Sequence, residues 1–142
     1  MFTGDNVLGV GTSVFRDLDA YMKSLQAMRD AVSAEGLNRL YPAHGPVVDA
    51  AVEKIDEYLL HRHGRIAQIL AVLQAASGAW TCEEVTRNIY ADLNDSLIRA
   101  AMGNTLLVLR KLEADGRVHS VDPSAALEQR RWRATAAASP RI

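Results

Sequence analysis

The sequence predicts an α/β unit followed by a small helical module that a β-hairpin closes, and three observations carry that prediction. Two short apolar segments, each stopped by a Gly or Pro turn, flank a stretch with helical spacing. A long amphipathic run follows Pro46. The chain beyond Ser77 then reads helix, helix, alternating strand, turn and returning strand.

Taken in order, Met1–Thr3 reads as a strand that Gly4-Asp5-Asn6 breaks. After the Gly-rich Gly9-Val10-Gly11-Thr12, Ser13 is expected to cap a helix through Leu18, Met22, Leu25, Met28 and Val32. Glu35-Gly36 ends it, and Leu40-Tyr41 is a second strand stopped by Pro42. The long helix after Pro46 spaces Val48, Val52, Ile55, Leu59, Ile66, Ile69 and Leu73 along one stripe. Gly64 inside it costs about 1 kcal/mol against Ala and is the place for a kink or break.

Thr81-Cys82-Glu83-Glu84 has the form of a capping box and opens a short helix to Tyr90. Asp95 or Ser96 opens the next, with Leu97, Ala101, Thr105, Val108 and Leu112 on one face and Asp115-Gly116 at its end. Arg117–Val121 alternates like a strand, Asp122-Pro123 turns, and Gln129–Thr135 returns as its partner. Helices in this order before a hairpin are the order of a winged-helix module. The closing Ala-Ala-Ala-Ser-Pro run is expected to fray.

Composition narrows the function classes. A length of 142 residues fits one ordinary domain or two very small ones. Sixteen Lys+Arg against seventeen Asp+Glu excludes a polycationic nucleic-acid coat or an acidic tail protein. The single cysteine, Cys82, excludes a disulfide framework and a Cys-rich zinc module within the chain. No apolar run is long enough for a transmembrane helix, and the start lacks a basic segment followed by an apolar one. The expectation is a cytoplasmic protein without membrane contact, with an organellar matrix as the alternative.

Among four histidines, His44 is the informative one, because Tyr41-Pro42-Ala43-His44-Gly45-Pro46 places it on a tight turn directly after a strand. Asp5 holds the same position after the other strand. Strand ends of a layered α/β fold converge on one edge, and a stiff turn suits a metal ligand. Read alone, an Asp after Gly is usually a turn or cap residue and a His between Pro-Ala and Gly-Pro usually a loop residue, with metal binding the rarer case. His61 and His63 diverge by about 200° on a helix, which argues against a shared metal and for a polar joint between two domains.

Phe2-Thr3-Gly4-Asp5-Asn6-Val7-Leu8-Gly9, Asp17–Leu25, Leu40-Tyr41-Pro42-Ala43-His44-Gly45-Pro46-Val47 and Lys54–Arg62, in that order, resemble the C-terminal half of the metallo-β-lactamase superfamily. The resemblance is to the group around β-lactamase-like protein 2, and the chain beyond Arg62 resembles that group's winged-helix-like domain. It implies an α/β fold: the C-terminal part of an αββα sandwich over residues 1–62, then a winged-helix-like domain over residues 63–142. It also implies Asp5 as the carboxylate bridging two zinc ions and His44 as a ligand of the second. Such a pair of ions supplies a hydroxide nucleophile near neutral pH.

The family's His-x-His-x-Asp-His motif, and the later His that completes its first site, are absent here. Two ligands fall short of the three protein ligands and water that a catalytic zinc takes. The resemblance therefore implies half of an enzyme, whose missing N-terminal half or partner chain supplies the other ligands and covers an exposed apolar sheet edge. In its complete form the expected activity is a zinc-dependent endoribonuclease on single-stranded RNA. A thioesterase-type metallohydrolase and a non-catalytic winged-helix binding module are the alternatives. Arg99, Arg110, Lys111, Arg130 and Arg131 are the candidate phosphate contacts, together with Arg117 and Arg133. Trp80 and Trp132 are candidates for stacking on a base or for the core.

Overall fold

The structure, a computed structural model, describes residues 1–136. Positions 137–142, which hold most of the run expected to fray together with Arg141, lie outside the described residues. The chain divides into two compact units, Met1–Gly64 and the part from Arg65 onward.

The first unit begins with β1 (Phe2–Gly4), continues through α1 (Leu18–Ala34) and β2 (Tyr41–Pro42), and takes in the start of α2 (Ala51–Ala75). β1 and β2 pair in parallel, Phe2 opposite Tyr41 and Gly4 opposite Pro42, with an irregular register between them. Helix α1 starts later than Ser13 would have it, because Asp17 is the cap and accepts from the Ala20 N–H at 3.0 Å. Ser13 is instead buried in the loop, donating its hydroxyl to the Asn6 carbonyl at 2.8 Å.

The start of α2 is moved by a similar cause. Leu40 and Val48 exchange backbone hydrogen bonds at 2.9 and 3.1 Å, an antiparallel bridge that uses Val48 before any helix begins. α2 therefore opens at Ala51, and Val48 is not on its stripe. It then runs without a break through Gly64. Tyr21, Leu25 and Val32 from α1 pack with Val7, Leu40, Ile55, Tyr58 and Leu59 into one core. Arg29 on α1 pairs with Asp56 on α2 across that core's rim, its Nη2 3.3 Å from Oδ2.

The second unit takes the last turns of α2, where Ile66, Ile69, Leu70 and Leu73 are buried. To these it adds β3 (Trp80–Thr81), α3 (Cys82–Ile89), α4 (Asp95–Ala114), β4 (Val118–Ser120) and β5 (Arg131–Ala134). The capping box forms as expected: Thr81 Oγ1 accepts from the Glu84 N–H, and the Glu84 carboxylate accepts from the Thr81 N–H at 2.7 Å. α4 opens at Asp95, one of the two expected starts, with Asn94 as its cap. Its buried face is Ile98, Thr105, Val108, Leu109 and Leu112, while Leu97 is half exposed, so the stripe begins one residue from where spacing placed it.

The hairpin strands pair antiparallel, with His119 opposite Arg133, and β3 adds a third strand on the far side of β5, giving the order β3-β5-β4. Trp132, in the middle strand and opposite Trp80, is completely buried. Trp132 is a core residue and has no face open to a base, while Trp80 is half-buried.

Candidate functional site

The parallel pairing of β1 with β2 brings together the two residues that sequence placed after them. His44 Nε2 stands 3.5 Å from Asp5 Oδ1, and both side chains are about three-quarters exposed. The turns that carry them are interlocked. Gly9 donates its N–H to the His44 carbonyl at 2.9 Å. A Cβ on Gly9 would lie 2.1 Å from the Pro46 carbonyl oxygen, and one on Gly45 would lie 2.5 Å from the Val10 nitrogen. Gly45 also has a φ of +86°, a conformation that L side chains rarely adopt. Only glycine at both positions lets the two loops touch backbone to backbone.

Further groups fix the loop after Asp5. The Asn6 carbonyl accepts from Ser13 Oγ and from the Tyr21 hydroxyl, each at 2.8 Å. Thr3 Oγ1, buried, donates to the Val7 carbonyl at 2.8 Å. The Tyr58 hydroxyl reaches from α2 to accept the Leu8 N–H at 3.2 Å. Burial pushes the Tyr21 phenol up, against the lowering effect of Ser13 and Arg62 beside it. Sequence reasoning missed Tyr21, Tyr58 and the Gly9–Gly45 contact. The pattern marks the two tyrosines only as helix-face positions, and nothing local reveals a contact between loops far apart in the chain.

An open carboxylate–imidazole pair at converging strand ends is a sound donor set for part of a zinc centre. It is not a whole one. Among the described residues no cluster of three or more His, Cys, Asp or Glu side chains is placed to hold a metal ion. His61, His63 and His119 lie on other elements, His61 and His63 on α2 and His119 on β4. Arg62 and Arg65, beside the first two, each lie over aromatic rings of their own unit: Phe15 at 4.7 Å for Arg62, and Tyr90 at 4.5 Å for Arg65.

The candidate phosphate contacts fall into two groups. Arg131 gives both Nε and Nη2 to the Ala79 carbonyl, at 3.1 and 2.9 Å, tying β5 to the residue before β3. Arg130 Nε donates to the Ala125 carbonyl, and Lys111 pairs with Asp115 one turn on. Arg99 and Arg110 remain exposed, and their spacing of about three helical turns returns them to one face of α4, about 16 Å apart along its axis. Arg99 lines a cavity of about 630 Å³ that also presents Glu83, Asp95 and Glu128. The field there is mixed, since Arg87 is already held by Glu83 and Asp95.

Residues 81–132 match the "Beta-lactamase associated winged helix domain" family. The chain is 45% identical over 120 residues to a β-lactamase-like protein 2 homologue of Caenorhabditis elegans, covering 84% of this chain and 39% of that protein. Its fold follows a metallo-β-lactamase family protein of Thermus thermophilus, with a TM-score of 0.65 at 21% identity over 93% of this chain and 40% of that one. It also follows a β-lactamase domain protein of Burkholderia ambifaria, with a TM-score of 0.74 at 15% identity over 94% and 41%. The chain spans about two fifths of the length of the curated relatives it matches. No helix among the described residues is long and apolar enough to cross a membrane. The chain is thus similar to the C-terminal portion of β-lactamase-like protein 2 homologues, carries a match to their associated winged helix domain, and has the fold of the metallo-β-lactamase structure it follows.

Proposed function

We propose that this chain carries the last two metal ligands, Asp5 and His44, and the winged-helix-like domain of a zinc-dependent hydrolase that cleaves single-stranded RNA. Residues 1–62 close the catalytic domain and residues 63–142 form the accessory one. The observation that supports the reading best is the 3.5 Å approach of the Asp5 carboxylate to the His44 imidazole, on turns locked by Gly9 and Gly45. Both side chains are open to solvent, where ligands from a missing N-terminal half or a partner chain would meet them. Phe2 and Tyr41, exposed on the same strand pair with ring centroids 5.3 Å apart, offer an apolar surface for that remainder to cover. Arg99 and Arg110 are the phosphate contacts of choice, because Arg130, Arg131 and Lys111 already have partners.

Two measurements test the reading. The 142-residue chain, purified without chelator and offered zinc, is expected to hold far less than one zinc per chain by mass spectrometry. Tight stoichiometric zinc would mean that this chain completes a site by itself. In the protein that carries the remaining ligands, Asp5→Ala is expected to abolish RNA hydrolysis; retained hydrolysis refutes the role of Asp5. Replacing both Arg99 and Arg110 by Ala should weaken RNA binding and flatten its salt dependence by a slope of about 1.4, two single-strand phosphate contacts. An unchanged slope removes the winged helix from the RNA path.

A further inference from the structure

In the first unit, one face of α2 carries Lys54, Tyr58, His61 and Arg62, and it looks onto the Gly11–Thr12 end of the loop between β1 and α1. A cavity of about 190 Å³ lies between them. Glu57 also lines it, yet Lys54 and Arg62 together outweigh that one carboxylate. Lys54 is matched by Glu57 at 2.9 Å, but Arg62 has no ion-pair partner among the described residues. The Arg62 guanidinium rests instead on rings, 4.7 Å from the centroid of Phe15 and 5.6 Å from that of Tyr21. Those two rings are themselves stacked at 4.4 Å, which fixes the cation in place.

The Arg62 Nε is buried and has no hydrogen-bond acceptor. A guanidinium has five donors and no acceptor of its own, and a buried donor left without a partner is a rare and costly state. The aromatic faces satisfy its charge in part but accept no strong N–H bond. The Tyr21 hydroxyl lies beside the guanidinium, and an anion seated in the cavity would give its outer nitrogens further acceptors.

We propose that the cavity between α2 and the Gly11–Thr12 loop binds a phosphate group, held by Arg62 with Lys54 and His61 around it. A planar fork of donors matches two phosphate oxygens at once, which a halide cannot exploit. At about 190 Å³ the cavity is smaller than the roughly 300 Å³ at which pockets begin to enclose a drug-sized ligand. It takes a compact tetrahedral anion, or the terminal phosphate of a larger molecule whose remainder stays outside. The same chemistry would hold free phosphate or the phosphomonoester end of a nucleotide chain. The inference stands on this pocket alone and does not require Asp5 and His44 to hold a metal.

The test is a titration of the chain at constant ionic strength with inorganic phosphate, a 5′-phosphorylated dinucleotide, and sodium chloride as the blank. Inorganic phosphate is expected to raise the unfolding temperature saturably and to move the Gly11 and Thr12 amide resonances, while chloride does neither. Arg62→Gln should weaken the apparent affinity at least tenfold, and Lys54→Gln by a smaller factor. Should Arg62→Gln fail to fold, the amide shifts of the unaltered chain and the Lys54→Gln titration decide the matter. Dinucleotide binding as tight as that of phosphate identifies a chain end as the ligand; its exclusion identifies the free ion. The proposal is overturned if chloride matches phosphate, if the Gly11 and Thr12 amides stay still, or if Arg62→Gln binds as before.

Discussion

Replacing Gly64 by Ala should stabilise the protein, and the sign of the effect is the point of the experiment. Gly64 lies in the interior of α2, which continues beyond it to Ala75. Its φ is not positive, and a Cβ built on it meets no heavy atom within 4 Å. No steric cost therefore opposes the gain in helix propensity, about 0.8–1 kcal/mol for Gly to Ala. For a chain of 142 residues the unfolding entropy near the midpoint is on the order of 0.3 kcal/mol/K, so the midpoint should rise by about 3 °C. If the two units unfold in separate transitions, the shift falls on one of them and rises to about 4–8 °C. Circular dichroism at a helix-sensitive wavelength during heating reads both cases. A helix broken at Gly64 would give the opposite sign, because Ala at a left-handed break costs about 1–2 kcal/mol. A midpoint that falls, or does not move, refutes the continuous helix.

Gly45→Ala should do the reverse and lower stability by about 3 kcal/mol, the sum of a left-handed backbone cost and a forced clash with the Val10 nitrogen at 2.5 Å. An unchanged chemical-denaturation midpoint would show that the Gly9–Gly45 contact does not hold the Asp5 and His44 turns together. Cys82 gives a pH test. Burial pushes its thiol up to about 11, so between about pH 9 and 11 the unfolded chain releases a proton that the folded one keeps. Stability should fall across that window by about 2 kcal/mol, and Cys82→Ala should remove that part of the fall, leaving what Lys and Tyr side chains contribute. Parallel pH profiles for the two proteins would sink the argument.

How much of this was legible in the sequence depended on whether the deciding interaction was local. The Thr81–Glu84 box and the Asp115-Gly116 stop are contained within a few residues, and both formed where spacing put them. The start of α1 differs from expectation because Ser13 and Asp17 are equally good caps by residue type. The choice between them is made by Asn6, whose carbonyl captures the Ser13 hydroxyl. The start of α2 differs for a like reason: Val48 fits a helical stripe, and only its pairing with Leu40 takes it out. On α4 the difference is confined to the first turn. Leu97 and Ile98 are both apolar, and nothing before folding says which of them turns inward.

The candidate site divides along the same line. Asp5 and His44 could be named because each follows a strand on a turn rich in Gly or Pro, and parallel pairing of those strands does the rest. The residues that hold them could not, since Tyr21 and Tyr58 look in sequence like any other core positions on an amphipathic helix. Their hydroxyls are what differ from Phe, and each hydroxyl finds a backbone group of the loop between Asp5 and α1. That loop is thus fastened from two helices at once, by Tyr21 on α1 and by Tyr58 on α2, while its Gly11–Thr12 stretch lines the pocket that holds Arg62. A polar contact bringing a buried tyrosine to a loop carbonyl is strong only where water is excluded. Mutating either tyrosine to Phe keeps the core volume and removes only the fastening, so the chain's two proposed binding functions share one loop and the supports that hold it.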